Sequence, residues 1–316
     1  MKDRTWRELG VELPRIMLPN KCVDMSKWSV VACDQYTSEP EYWHRVEGLV
    51  GDAPSTLRLV LPEALLSENP RENTAREDDI IKTMQSYLAS GTFRTLPCGA
   101  MLVRRYLNCG VRTGLVLSFD LERYDYKKGS TSLIRATEGT VEERVNARLS
   151  LRRRALIELP HILMLIDDPK KTVIEPLANA KMHREYDFEL MEHGGRITGD
   201  FIAEENLEGA RIALSELAAE QDGRFGKPLL LYAMGDGNHS LAAAKAVWEE
   251  LKPTLSEAEI ENHPARFALC ELVNVHDDGI LFEPIHCLLT NVKPGALEEI
   301  AYILAEQNGD VSIGTG

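Results

Sequence analysis

Six consecutive residues, Gly235-Asp236-Gly237-Asn238-His239-Ser240, gather a carboxylate, an amide, an imidazole and a hydroxyl around two glycines. Groups of these types can bind an oxyanion and move a proton beside it. Glycine lets the backbone turn with positive φ or approach a ligand closely. A helix starting in the turn would add its free N–H groups and the positive end of its dipole. A plainer reading also fits the six residues: a βα turn in which Asn238 or Ser240 caps the helix and His239 lies on the surface.

The flanking sequence supplies the elements such a turn needs. Leu229 to Met234 is an apolar run of strand length, expected to be a central buried strand. Leu241, Ala244, Val247 and Trp248 then recur at helical spacing, which predicts a helix over 240–250. Two familiar phosphate motifs are excluded. There is no G-x-x-x-x-G-K-[ST], and after Gly235-Asp236-Gly237 the place of the third glycine of G-x-G-x-x-G is taken by Ser240.

Three further groups could share the chemistry. Trp28 to Cys33 reads as a buried strand, and Ser38-Glu39-Pro40-Glu41 as a capping box opening a helix. That places Asp34 and Thr37 at a strand end, where open α/β sheets bind ligands. Arg135, Arg144, Arg148, Arg152, Arg153 and Arg154 fall within 20 residues, and Arg144, Arg148 and Arg152 repeat every four, lining one face of a helix. Such a face can clamp phosphate, or it can simply be solvated and paired with nearby glutamates. Ile162 to Ile166 reads as a buried strand ending in Asp167-Asp168, a carboxylate pair suited to Mg²⁺ or to a turn before Pro169.

The remaining pattern is that of an α/β protein with a mixed sheet. Ser55 to Leu61 reads as a strand, 72–88 as an amphipathic helix, and 101–105 with 112–120 as a hairpin turning at Asn108-Cys109-Gly110. A second hairpin is expected to turn at Gly194-Gly195, followed by a helix over 203–219 and a strand over 267–275. The expected organisation is an N-terminal α/β part over 1–130 and a part over 131–316 that carries the turn.

The totals exclude several function classes. Across 316 residues, 36 Lys and Arg face 50 Asp and Glu, a net charge of -14, which argues against nucleic acid or an anionic membrane as partner. No apolar run approaches a membrane span, and the N-terminus carries no secretory pattern. Six scattered cysteines without a C-x-x-C pair suggest thiols in a reducing compartment, so a cytoplasmic location is expected. A small anionic ligand remains compatible with the local arginine excess.

The segments ACDQYTSEPEYW, LIRATEGT, ELPHILMLIDD, the YDFELM run with its following glycines, MGDGNHSLAAAK and FEPIH occur in this order. In that combination the chain resembles the domain-of-unknown-function family number 1015, over roughly residues 14 to 290. Many relatives carry D-G-H-H-R at the turn; here Asp236-Gly237-Asn238-His239-Ser240 lacks the arginine. More loosely, the turn resembles the phosphate turn of the ParB/sulfiredoxin superfamily, which includes kinases of free serine. Relatives continue for on the order of a hundred further residues, so the resemblance implies that the part over 131–316 is truncated at its C-terminus, short of one further domain.

The resemblance implies a small-molecule phosphotransferase, since members are associated with serine biosynthesis and with phosphorylation of free serine. Free L-serine would be the acceptor, or phosphoserine in the reverse reaction, with pyrophosphate or ATP/ADP as the phosphate partner. On that expectation Gly235, Gly237, Asn238 and Ser240 cradle phosphate beside His239, and Arg135, Arg144, Arg148 and Thr37 hold substrate. Asp236 or Asp34 serves as base, and Asp167 or Asp168 binds Mg²⁺. The alternative is a non-catalytic regulatory protein that binds a nucleotide or phosphorylated metabolite. A metal-dependent hydrolase is a third and weaker reading, because no H-x-x-x-H spacing accompanies His276-Asp277.

Overall fold

Alternation of apolar side chains along the strands builds a sheet buried on two faces. The computed structural model describes residues 3–139, 142–159, 161–225, 228–281 and 290–309. The strands of the first half are β1 (Val11–Glu12), β2 (Arg15–Pro19), β3 (Phe93–Leu107), β4 (Gly110–Asp120), β5 (Tyr124–Asp125) and β6 (Ile134–Arg135). β7 (Ile162–Ile166), β8 (His183–Glu189), β9 (Arg196–Ala203), β10 (Tyr232–Asp236) and β11 (Phe267–Asn274) follow. The helices are α1 (Met25–Trp28), α2 (Pro40–Val50), α3 (Pro70–Ala89) and α4 (Glu142–Arg154). After them come α5 (Glu208–Phe225), α6 (Asn238–Leu251), α7 (Glu257–Asn262) and α8 (Ala296–Asn308).

Among the described residues the strands form one mixed sheet, ordered β5-β6-β10-β7-β11-β4-β3-β9-β8, with β1 added on β4 and β2 on β3. In β3, Ala100 and Leu102 face one core while Met101 and Val103 face another; in β4, Leu115 and Leu117 alternate with Val116 in the same way. The larger core lies under α5 and α6, where Leu214, Leu217, Leu241 and Trp248 pack on Phe119, Ile134, Met164 and Tyr232. At about 25 cal/mol per Å² of apolar surface, each of these fully buried side chains contributes roughly 1.5–3 kcal/mol.

The expected α/β class is thus the observed one, and both hairpins, α3, α4, β7 and β11 form where the pattern places them. Five segments differ, the first being the helix expected over 203–219: Ala203 ends β9, Glu204–Asn206 is a 3-10 turn, and α5 runs Glu208–Phe225. Trp28 to Cys33 is not a strand: Trp28 closes α1, and Val30 and Val31 lie in a loop packed against Tyr42 and Trp43. Ser55 to Leu61 instead holds a 3-10 turn at Thr56–Leu59, capped by Ser55 Oγ on the Leu57 amide. No capping box forms at 38–41, since Glu39 caps α2 without a side-chain bond, although Pro40 does occupy the first turn. β10 begins at Tyr232 rather than Leu229, because its neighbour β6 offers only two residues, and Tyr232 pairs with Ile134.

Residues Met1–Ile280 form one compact unit and Leu281–Gly316 a second. The division expected between 130 and 131 falls inside the sheet of the first unit, where β3 and β4 pair with β9 and β11. Phe282-Glu283-Pro284-Ile285-His286 lies outside the described residues. Among the described residues, no helix is long and apolar enough to cross a membrane.

Candidate functional site

The turn after β10 is a single residue long. Gly237 has φ +79°, a left-handed conformation, and a Cβ there would sit 3.0 Å from Ile162 Cγ1 and 3.2 Å from Ile162 Cα. Gly235 is needed for a different reason: its backbone lies against Leu165, whose Cγ would be 2.9 Å from an added Cβ. Asp236 is exposed and accepts a 2.7 Å bond from the Gly237 amide through Oδ1. Asn238, His239 and Ser240 then form the first turn of α6, each at most 7% exposed. Gly237 has no side chain with which to cap that turn, so its first amides remain suited to an outside acceptor. Asn238 Oδ1 is buried without a hydrogen-bond partner among the described residues.

A second helix brings its N-terminus to the same place. β6 runs parallel to β10, so α4 and α6, which follow them, leave from the same edge of the sheet. Val145 and Leu149 of α4 share an apolar cluster with Ala242, Ala243, Ala246 and Val247 of α6. At the far ends Arg153 grips Glu250 with two bonds of 2.7 Å. The helices therefore run side by side in one direction, with both positive poles at the end of β10. Between β6 and α4, Thr137 Oγ1 donates to the Met234 carbonyl at 2.8 Å, drawing that loop onto the strand end.

β7 runs antiparallel to β10, with Leu163 opposite Asp236, so its first residues border the turn. Just before it, His161 Nδ1 lies 3.2 Å from the Leu159 carbonyl and Nε2 lies 2.8 Å from Ser240 Oγ. A carbonyl can only accept, so in the neutral ring the proton sits on Nδ1, and Nε2 accepts from the Ser240 hydroxyl.

Arg148 projects from α4 to Asp34 Oδ2 at 3.6 Å and to Glu63 Oε1. Both Arg148 and Asp34 have side chains only 14% exposed. Burial, with the Asp34 charge second, pushes the adjacent Cys33 thiol up to about 11. Asp34, in the loop before α2, and Arg148, on a helix packed against α6, are therefore in one cluster.

Other expected members lie elsewhere. Arg135 donates to the carbonyls of Ser132, Pro228 and Leu229 at 2.8–3.3 Å, tying down the approach to β10. Thr37 is exposed in the loop before α2, and the side chain of Arg144, in the first turn of α4, lies outside the described residues. The expected Mg²⁺ pair Asp167-Asp168 lies apart from the turn. It follows the C-terminal end of β7, which antiparallel pairing puts at the opposite edge of the sheet from Ser240. Asp168, 1% exposed, accepts from the amides of Thr172 and Val173 and from the Thr172 hydroxyl, while Asp167 binds His276 at 2.8 Å. Among the described residues, no three His, Cys, Asp or Glu side chains converge as metal ligands. These carboxylates fit a turn cap and an ion pair, and they do not fit a Mg²⁺ ion serving the α6 turn.

Sequence reasoning missed His161 and Glu63 as members of the site. His161 stands inside the ELPHILM segment, but its partner is 79 residues away and no local spacing marks the pair. No curated protein and no solved structure matches the chain. A family model does, over residues 17–309, and its description is "Protein of unknown function (DUF1015)". With that match spanning most of its length, the chain belongs to the DUF1015 family.

Proposed function

We propose that the end of β10 is a phosphoryl-transfer site for a small-molecule hydroxyl, with free L-serine as acceptor and pyrophosphate or ATP/ADP as donor. The observation that carries this reading is the convergence of two parallel helix N-termini on the left-handed Gly237 turn. Backbone amides and dipoles fixed in this way stabilise charge developing on transferred oxygens without reorganising. Arg148 of α4 would add a guanidinium group to the cradle. Asp236, exposed at the strand end, is the carboxylate nearest in sequence to the cradle, and Asp34 is the alternative base. Serine is suggested by the family resemblance alone. Any Mg²⁺ required would arrive with the donor, because Asp167 and Asp168 do not serve this end of the sheet.

The test is phosphoserine formation from L-serine with pyrophosphate, ATP or ADP, each supplied with Mg²⁺, and the reverse reaction from phosphoserine. Product with one donor is the expected result. Ligand-induced thermal stabilisation without product from any donor would replace the enzyme with a binding-only regulatory protein.

A further inference from the structure

The Ser240–His161 pair has the arrangement of a nucleophile and its base. The hydroxyl and Nε2 are 2.8 Å apart, and the Leu159 carbonyl on Nδ1 fixes the tautomer that leaves Nε2 free to take a proton. Nucleophile, base and a third group orienting the base are the parts that covalent catalysis requires. Ser240 is also the third residue of α6, next to amides suited to an anion. A phosphorylated serine at a helix N-terminus gains charge-assisted bonds and a favourable dipole, so this position favours the modified state. Nearby, Asn238 Oδ1 is an acceptor, 5% exposed as a residue, with no partner among the described residues. It is suited to accept a hydrogen bond from an acceptor's ammonium or hydroxyl group.

We propose that Ser240 is a covalent way-station in the transfer, with His161 as its base; this rests on the phosphoryl-transfer reading above. In the first step an Oγ–P bond forms and the bridging P–O bond to the donor's leaving group (phosphate from pyrophosphate, ADP from ATP, AMP from ADP) breaks. The Ser240 proton passes to His161 Nε2 and from there to the leaving oxygen. In the second step the acceptor hydroxyl forms its O–P bond as Oγ–P breaks. The acceptor's proton passes through Nε2 back to Ser240 Oγ. The sum is donor plus alcohol giving phosphorylated alcohol plus the donor's leaving group (phosphate, ADP or AMP), with both residues restored and no change of oxidation state.

Phosphorus-labelled pyrophosphate, ATP and ADP are each incubated with the full chain in the absence of serine, and the protein is digested and mapped by mass spectrometry. Label on Ser240 that is discharged by added L-serine as phosphoserine is the expected result, with parallel-line kinetics in both substrates. Ser240→Ala should abolish both label and product, and His161→Gln, which keeps a bond to Oγ but accepts no proton, should slow labelling by about 10²-fold or more. Wild-type turnover in a folded Ser240→Ala protein, or label mapping to another residue such as His239, would overturn the covalent step while leaving phosphoryl transfer intact. Absence of both label and product with every donor would overturn both. If Ser240→Ala does not fold, the wild-type map alone decides between Ser240 and any other residue.

Discussion

Replacing Gly237 by alanine should destabilise the protein for two separable reasons. A left-handed backbone costs an L residue about 1–2 kcal/mol. The new methyl group would also lie 3.0 Å from Ile162 Cγ1 and 3.2 Å from Ile162 Cα. The side-chain atom can shift, but the Cα belongs to β7, whose Ile162 is paired with Cys270 of β11. Crowding of this kind costs about 1–3 kcal/mol. The combined loss should be roughly 2–5 kcal/mol, or roughly 3–9 °C in Tm for a unit of this size. Asparagine tolerates the left-handed region but carries the same Cβ, so Gly237→Asn should recover only the backbone part. Gly48→Ala is the control: Gly48 lies on the exposed face of α2 with nothing within 4 Å, and alanine there should stabilise by about 0.8–1 kcal/mol. Urea unfolding of the four proteins measures each term. Gly237→Ala within about 0.5 kcal/mol of wild type, the ordinary range for a surface change, would show that the turn does not need its glycine.

Arg148→Ala should weaken binding of pyrophosphate or phosphoserine by about 10–100-fold, the worth of one charge-assisted bond, and calorimetric affinities within twofold of wild type would return Arg148 to a purely structural role. Asp168→Ala removes the acceptor for the Thr172 and Val173 amides, so it should cost about 1–3 kcal/mol or more in stability while kcat stays near wild type. A loss of Mg²⁺-dependent turnover in that variant would restore the carboxylate pair to the reaction. Cys33, held up to about 11 by burial, should alkylate far more slowly near neutral pH than the exposed Cys22 and Cys109, as peptide mass mapping would show. Since the folded thiol's pKa is raised, its contribution to stability holds below the ordinary value of 9.0 and is lost as pH rises through about 11. Equal labelling of Cys22 and Cys33 would contradict the burial.

Local pattern served where local forces decide. The turn could be read because two glycines between an apolar run and a helical repeat mark a strand-to-helix turn locally, although the close approaches that need them are to Ile162 and Leu165 of β7. The β3–β4 hairpin and β11 could be read because their apolar alternation matches two cores. The segments Trp28 to Cys33 and Ser55 to Leu61 carry the same β-branched and apolar residues but find no strand to pair with, and a run of that kind becomes a strand only beside a partner. Asp167 and Asp168 were misplaced because a strand end has meaning only once its direction is known, and β7 runs against β10. The Ser240–His161 and Arg148–Glu63 contacts span 79 and 85 residues, beyond the reach of any spacing rule.

The position of β11 bears on how the protein is made. It lies between β7 and β4, so it stitches β5-β6-β10-β7 to β4-β3-β9-β8, yet among the described residues it is the last strand in sequence. Until residues 267–274 have been synthesised, β7 and β4, the strands that flank β11, lack their partner and present apolar, open edges. Such edges recruit strands from other molecules. The cellular yield of folded protein is therefore set by how fast one late segment closes the gap. Lesions in β11 such as Leu272→Asp should appear as insoluble protein or dependence on chaperones, although they lie outside the reacting residues.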